Sequence, residues 1–286
     1  MAISEPFKLP EYFLPPTPPK GASMRKIDFT KTNPPLPEYK DHFAIIIDDI
    51  FTGSECAALI RAAEASTITP ESPSPTWSRA MINAGGGRQI MSVDTRNCGR
   101  IIYDTPLLAQ KILDRLAPFL AKCGIDTIHN QPLITGIGPK RRCEVFHLSR
   151  LNERLRFLRY EGGEYFRPHC DAFYETPNGN EISLFTVHLY LNGDGEQDLE
   201  ELAQEKKRSK EKAESARDKD PSGKLLGGAT SFNPNWDDEN VVRIFPKTGS
   251  VLVFQQNNLY HAGEDVFRGV KYTMRTEIMY RRSTRI

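Results

Sequence analysis

Two blocks of alternating apolar residues limit the folds open to this chain more than any other feature. In the first, Leu155, Phe157, Leu158 and Tyr160 lead into Gly162-Gly163, then Phe166 and Pro168-His169, the order expected of a strand, a glycine turn and a second strand. In the second, Val251, Leu252, Val253 and Phe254 precede a short polar turn and His261, and a last strand is predicted over Val270 to Tyr280. Strand side chains repeat every two residues, so Lys271, Thr273 and Arg275 share one face of that strand, and Tyr272, Met274 and Thr276 the other. One face therefore carries two cations.

Each block ends on candidate metal ligands. His169-Cys170-Asp171 closes the first, and His261 follows the second after 89 intervening residues. Two imidazoles and a carboxylate in the pattern H-x-D…H can cap one face of an octahedral metal and leave three positions open, as in the facial triad of non-haem Fe(II) oxygenases. H-x-D arises easily by chance, so its weight comes from these surroundings.

The segments 155–171 (LRFLRYEGGEYFRPHCD), 184–192 (LFTVHLYLN), 227–232 (GGATSF) and 244–280 together resemble the catalytic domain of prolyl 4-hydroxylase-like 2-oxoglutarate/Fe(II) dioxygenases, over roughly residues 43 to 282. The resemblance implies an α+β, mainly β fold: a double-stranded β-helix (jelly-roll) core buttressed by helices. It implies His169, Asp171 and His261 as iron ligands. Lys271, ten residues after His261, would bind the distal carboxylate of the co-substrate 2-oxoglutarate, with Tyr160 and Tyr190 lining the same pocket. Ascorbate is a further cofactor the resemblance allows. The implied reaction is an oxidation using molecular oxygen, most commonly on a prolyl residue of a peptide or protein.

The chemistry is consistent with that reading. Chelation through the keto oxygen and the adjacent carboxylate leaves a second carboxylate that needs a cation and a hydroxyl, because an unpaired buried carboxylate is costly. Lys271 with Thr273, Tyr190 and Thr186 can supply both. Arg275 competes, since its fork matches a carboxylate better, but spacing favours Lys271. Alternation puts Thr186, His188 and Tyr190 on one face of their strand. His188 stands where relatives often carry an aliphatic residue; it is either a further contact to 2-oxoglutarate, a bias on the open metal edge, a fourth iron ligand, or a core histidine bonded to a carbonyl.

Other motifs carry two readings each. Gly227-Gly228 before Ala229-Thr230 is a close backbone approach to the site or a plain hairpin. Arg96, Asn97 and Arg100 orient substrate or are solvated. Trp236 is a substrate platform or a loop anchor. Arg154, Arg156 and Arg159 alternate across both faces of one strand, and none is expected to be catalytic.

Organisation follows from composition. Residues 1–40 hold nine of the 21 prolines and form a Pro-rich arm that wraps the domain or stays unpacked; its Pro15 to Pro19 segment raises the possibility of an internal pseudo-substrate. The oxygenase domain is expected over 41–286, beginning with a strand at Phe43 to Ile47, a helix capped by Thr52 and Glu55, and a second helix from Thr105-Pro106 that Pro118 kinks or ends. Residues 68–92 read as a mobile loop able to close over substrate. A charged insertion at about 195–224, with nine acids and seven bases over residues 196–220, is expected to be solvated and dispensable for folding.

A net charge of +1 offers no basic face for nucleic acid. No apolar run suits a bilayer, and residues 1–6 lack a basic end followed by an apolar stretch, so no membrane association and an intracellular location, cytoplasm or nucleus, are expected. Five cysteines without a C-x-x-C pair argue against a disulfide framework. The functions that compete with a prolyl hydroxylase are a same-fold oxygenase acting on a small molecule, a non-catalytic binding module on the same barrel, and a cupin-like metal hydrolase or isomerase, which would not need Lys271 or Tyr190.

Overall fold

The alternation of the sequence is realised as two antiparallel sheets packed face to face in a jelly-roll. The structure, a computed structural model, describes residues 7–83, 88–211, 221–235 and 240–284. The large sheet runs in the order Ser23–Lys26, Ala44–Asp48, Val251–Gln255, Glu181–Tyr190, Val270–Thr284, Arg154–Glu161, Gly99–Asp104 and Ser78–Arg79, with Glu144–Leu151 also pairing along Val270–Thr284. The small sheet orders Val242–Ile244, Thr230–Phe232, His261–Gly263, Tyr165–His169 and Arg96–Asn97.

Period-two burial assigns the two faces of the large sheet. Ile45, Ile47, Val187, Leu189, Val251 and Val253 pack toward α1 (Gly53–Ala65) and α2 (Pro106–Lys122). Their neighbours Ile46, Tyr190, Leu252 and Phe254 point the other way, against Phe232 and Val242 of the small sheet. Both faces are therefore covered, and the interior between the sheets is where polar residues must find partners or ligands.

Local signals place the helices. Thr52 accepts from the Glu55 amide while the Glu55 carboxylate accepts from the Thr52 amide, the reciprocal cap that starts α1. Pro106 occupies the first turn of α2, where its missing N–H costs nothing. Pro118 does not end α2, which runs on to Lys122. It lies on the solvent side with Asp114, four residues earlier, so water can satisfy the carbonyl it leaves unpaired. Two short helices follow, α3 (Pro132–Thr135) and α4 (Ile137–Arg141).

The Pro-rich arm wraps the domain. Ser23–Lys26 pairs with Ala44–Asp48, and Phe13, Leu14, Phe29 and Leu36 are buried. Arg115 of α2, also buried, ties the arm down by donating to the Pro15 carbonyl at 2.8 and 3.0 Å while pairing with Glu55 at 2.8 Å. The Pro15 to Pro19 segment thus lies at α1 and α2, and none of the arm's described residues lines the cavity that holds the candidate metal ligands.

The charged insertion is more than a solvated loop. Asp198 caps α5 (Leu199–Glu211) by accepting from the Glu200 and Glu201 amides. Leu202 is buried, Glu201 pairs with Arg268 at 2.8 Å, and Gln197 exchanges two hydrogen bonds with Gly227. A single leucine in a charged run suffices to dock a helix when its flanks are bonded to the barrel. Of the expected loop at 68–92, the described residues include the short strands Ser78–Arg79, Ile82–Asn83 and Gln89–Ile90.

Candidate active site

Strand pairing brings the three candidate ligands together. His169 ends Tyr165–His169 and pairs with His261 at the start of His261–Gly263, and Asp171 follows two residues later. Their ligand atoms all lie within 4.8 Å of one another. The backbone fixes the imidazoles: His169 Nδ1 lies 2.8 Å from the Arg167 carbonyl and His261 Nδ1 3.1 Å from the Leu259 carbonyl. A carbonyl only accepts, so each Nδ1 carries the proton and each Nε2 presents its lone pair, 3.6 Å from an Asp171 oxygen. Phe166 stacks on the His169 ring at 3.6 Å, and the Arg96 guanidinium lies over the Phe166 ring at 4.4 Å.

Electrostatics prepare the set to bind a cation. Burial raises the Asp171 carboxyl, but Arg275 and the two imidazoles outweigh it and hold the group ionised, well below the usual carboxylate range. Burial, with His169 nearby, pushes His261 down to about 4, so it is neutral at physiological pH, as a ligand must be.

Arg275 takes a role different from the one its fork suggested. It pairs with Asp171 at 2.9 Å and with Glu277 at 3.4 Å, and Glu277 accepts in turn from Arg156 at 2.8 Å and from Asn152 at 2.9 Å. This buried chain of charges steadies the carboxylate ligand. Thr186, read from the sequence as a co-substrate contact, donates to Asp171 at 2.6 Å.

The other end of the interior is built differently. Lys271 is buried, and among the described residues no carboxylate pairs with it; its Nζ sits 5.1 Å from the Tyr160 ring and 6.0 Å from that of Tyr190. Burial pushes its ammonium down to about 8. Tyr190 donates to Thr230 at 2.7 Å. The Thr273 hydroxyl and His188 Nε2 are buried and have no hydrogen-bond partner among the described residues. A buried lysine without a counter-ion, beside two orphaned polar atoms, fits a missing anion of fixed position. The residues present thus fit both a metal and a dicarboxylate.

Gly227 and Gly228 explain how the backbone passes so close. Both have positive φ, and a Cβ on Gly228 would meet Lys271 Cδ at 3.0 Å, while one on Gly227 would lie 2.3 Å from the Asp265 carbonyl oxygen. The cavity at the ligands is about 30 Å³, room for roughly two waters.

The remaining expected residues divide. Arg96 lines the cavity and keeps a buried, unpartnered Nε. Asn97 pairs with Tyr165 in the small sheet and does not line that cavity. Arg100 is turned to the Gln89 side chain at 3.1 Å and the Met81 carbonyl at 3.4 Å. Trp236 lies outside the described residues. The sequence reading sets Arg156 aside and does not reach Glu277 or Asn152, although Glu277 continues the Lys271, Thr273, Arg275 face by alternation. A second cleft, about 520 Å³, lies between α5 and strands that include Ser231, Ala262 and Arg243. By register these three share the face opposite Phe232 and Val242, so they line the cleft from outside the barrel, while His261 and Phe166 border both this cleft and the cavity at the ligands.

Comparisons with known proteins follow the same lines. Residues 155–276 match the profile of the 2OG-Fe(II) oxygenase superfamily. A search of curated proteins returns no match. Among solved structures, a collagen prolyl hydroxylase of Paramecium bursaria Chlorella virus-1 in complex with 2OG is 17% identical, with a TM-score of 0.43, covering 91% of this chain and 97% of that one. A Pseudomonas putida prolyl-4-hydroxylase is 16% identical with a TM-score of 0.46, covering 84% and 95%. A Trichoplax adhaerens prolyl hydroxylase, solved with a hypoxia inducible factor peptide fragment, is 16% identical with a TM-score of 0.42, covering 84% and 85%.

Proposed function

We propose that this 2-oxoglutarate- and Fe(II)-dependent oxygenase, whose superfamily domain spans residues 155–276, hydroxylates a prolyl residue in a peptide or protein. In this reading His169, Asp171 and His261 hold the iron, and Lys271 with Thr273 and Tyr190 anchors 2-oxoglutarate. The observation that carries it is the pairing of a compact His-Asp-His cluster with a buried, carboxylate-free Lys271 in one interior. A non-catalytic module would need only the fold, and a cupin-like hydrolase would not need the lysine.

When bound, iron and the 2-oxo acid together supply the activation of dioxygen that the side chains lack. The chain's own part is positional. Lys271 neutralises the distal carboxylate, and Thr273 offers its free hydroxyl beside it. Arg275 and Thr186 hold Asp171 by one hydrogen bond each, and the Arg167 and Leu259 carbonyls keep both imidazoles in the ligating tautomer. Leu158, Phe166 and Phe254 line the same cavity and keep bulk water from it.

A prolyl acceptor is supported by exposed aromatic residues close to the ligands in sequence. Phe173 and Tyr174 lie two and three residues after Asp171, Tyr260 directly precedes His261, and all three are exposed. Flat aromatic surfaces are what extended proline segments dock against. Incubation with proline-containing peptides should give a gain of about 16 Da, the mass of one oxygen, in step with 2-oxoglutarate consumption. Turnover stimulated by small molecules and by no peptide would contradict the prolyl assignment while leaving the oxygenase class intact.

A further inference from the structure

We infer that His188 is a binding residue of the co-substrate slot, donating a hydrogen bond from Nε2 to the end of 2-oxoglutarate opposite Lys271. This rests on the oxygenase reading above and adds a contact to it. His188 faces inward on Glu181–Tyr190, across from Arg275 on one neighbouring strand and Leu252 on the other. Its ring lines the cavity at the metal ligands. Its Nε2 has no partner among the described residues. A core histidine would have that nitrogen bonded to a carbonyl or carboxylate, and leaving it bare inside the protein is unfavourable unless a ligand completes it.

Position along the strand selects the end of the ligand. Two residues one way, Thr186 bonds the Asp171 carboxylate; two residues the other way, Tyr190 pairs with Thr273 in the layer beside Lys271. At about 3.4 Å per residue, His188 is roughly 7 Å from each. Lys271 and Arg275 are four positions apart on the facing strand, so the layer holding His188 and Arg275 is the metal-side layer. Burial, and then the neighbouring Lys271 and Arg275 cations, keep the imidazole neutral, so it adds a donor without adding a third charge. The consequence is a slot gripped at both ends, which fixes the orientation of the 2-oxo carboxylate.

The test is equilibrium binding by calorimetry on Mn(II)-loaded full-length protein without oxygen turnover. His188→Leu and His188→Met, two apolar replacements of similar bulk, should each weaken 2-oxoglutarate binding about tenfold or more while Mn(II) affinity stays unchanged. His188→Gln, which keeps a donor at similar reach, should recover most of the loss. Effects of His188→Leu and Lys271→Met should add in the double variant, as expected for contacts at separate ends. Wild-type affinity in whichever apolar variant folds overturns the inference, and so does strong coupling to Lys271. Absence of any 2-oxoglutarate binding by Mn(II)-loaded wild-type protein would overturn the oxygenase reading itself, and this inference with it.

Discussion

Replacing Lys271 with methionine should make the protein more stable and less able to bind 2-oxoglutarate. The ammonium is enclosed with no carboxylate partner, and burial lowers its pKa from 10.5 to about 8. At about 1.4 kcal/mol per pH unit of displacement, carrying that charge inside costs on the order of 3 kcal/mol at neutral pH. Between about pH 8 and 10.5 the unfolded chain binds more protons at this residue than the folded one, so wild-type stability should rise with pH through that window. Denaturant unfolding of the ligand-free protein near neutral pH and near pH 10 reads both effects. Lys271→Met should gain up to about 3 kcal/mol at neutral pH, and the gap should narrow at the higher pH, where the wild-type lysine is already neutral. In the same preparations the variant's 2-oxoglutarate affinity should drop by about 2 to 5 kcal/mol, the penalty for leaving a buried charge unpaired. A variant that is destabilised at neutral pH and binds 2-oxoglutarate like wild type would refute the argument that Lys271 is held for a missing anion.

The same protonation sets a pH limit: wild-type 2-oxoglutarate affinity in titrations should fall as pH rises above about 8, where free Lys271 loses its charge. Asp171→Ala should abolish stoichiometric Fe(II) binding in equilibrium dialysis, since it also strands Arg275 beside two imidazoles. Arg115→Ala should cost about 3 to 5 kcal/mol in denaturant unfolding, because it breaks a buried pair with Glu55 and releases the arm at Pro15. Exchanging residues 197–220 for a short Gly/Ser linker should cost about 2 kcal/mol through loss of Leu202 burial, without cooperative loss of the fold; no change at all would show that α5 contributes nothing by docking.

How much of the fold and site is readable in the sequence depends on whether the signal is local. The inward face of Val270–Thr284 follows from alternation alone, and alternation suffices to group Lys271, Thr273 and Arg275. The capping box at Thr52 is likewise legible, since its partners are three residues apart. What Arg275 does is not legible: its bond to Asp171 depends on the spatial approach of two distant segments, and the Glu277–Arg156 pair on the register between strands. Alternation assigns Thr186 to the inward face, but its bond to Asp171 is not legible for the same reason. The insertion misleads because composition averages over residues, whereas docking of α5 turns on Leu202 and two bonded flanks. The arm's prolines point to extended chain, yet Phe13, Leu14, Phe29 and Leu36, spread thinly among them, are what bury it.

The central claim is that His169, Asp171, His261 and Lys271 form one iron- and 2-oxoglutarate-dependent site. It is tested most directly by measuring succinate formed from 2-oxoglutarate by the purified protein in air, with and without added Fe(II). The account predicts Fe(II)-dependent succinate that disappears in His261→Ala and, at low 2-oxoglutarate, in Lys271→Met. Succinate formation indifferent to Fe(II), or undiminished in His261→Ala, would contradict it.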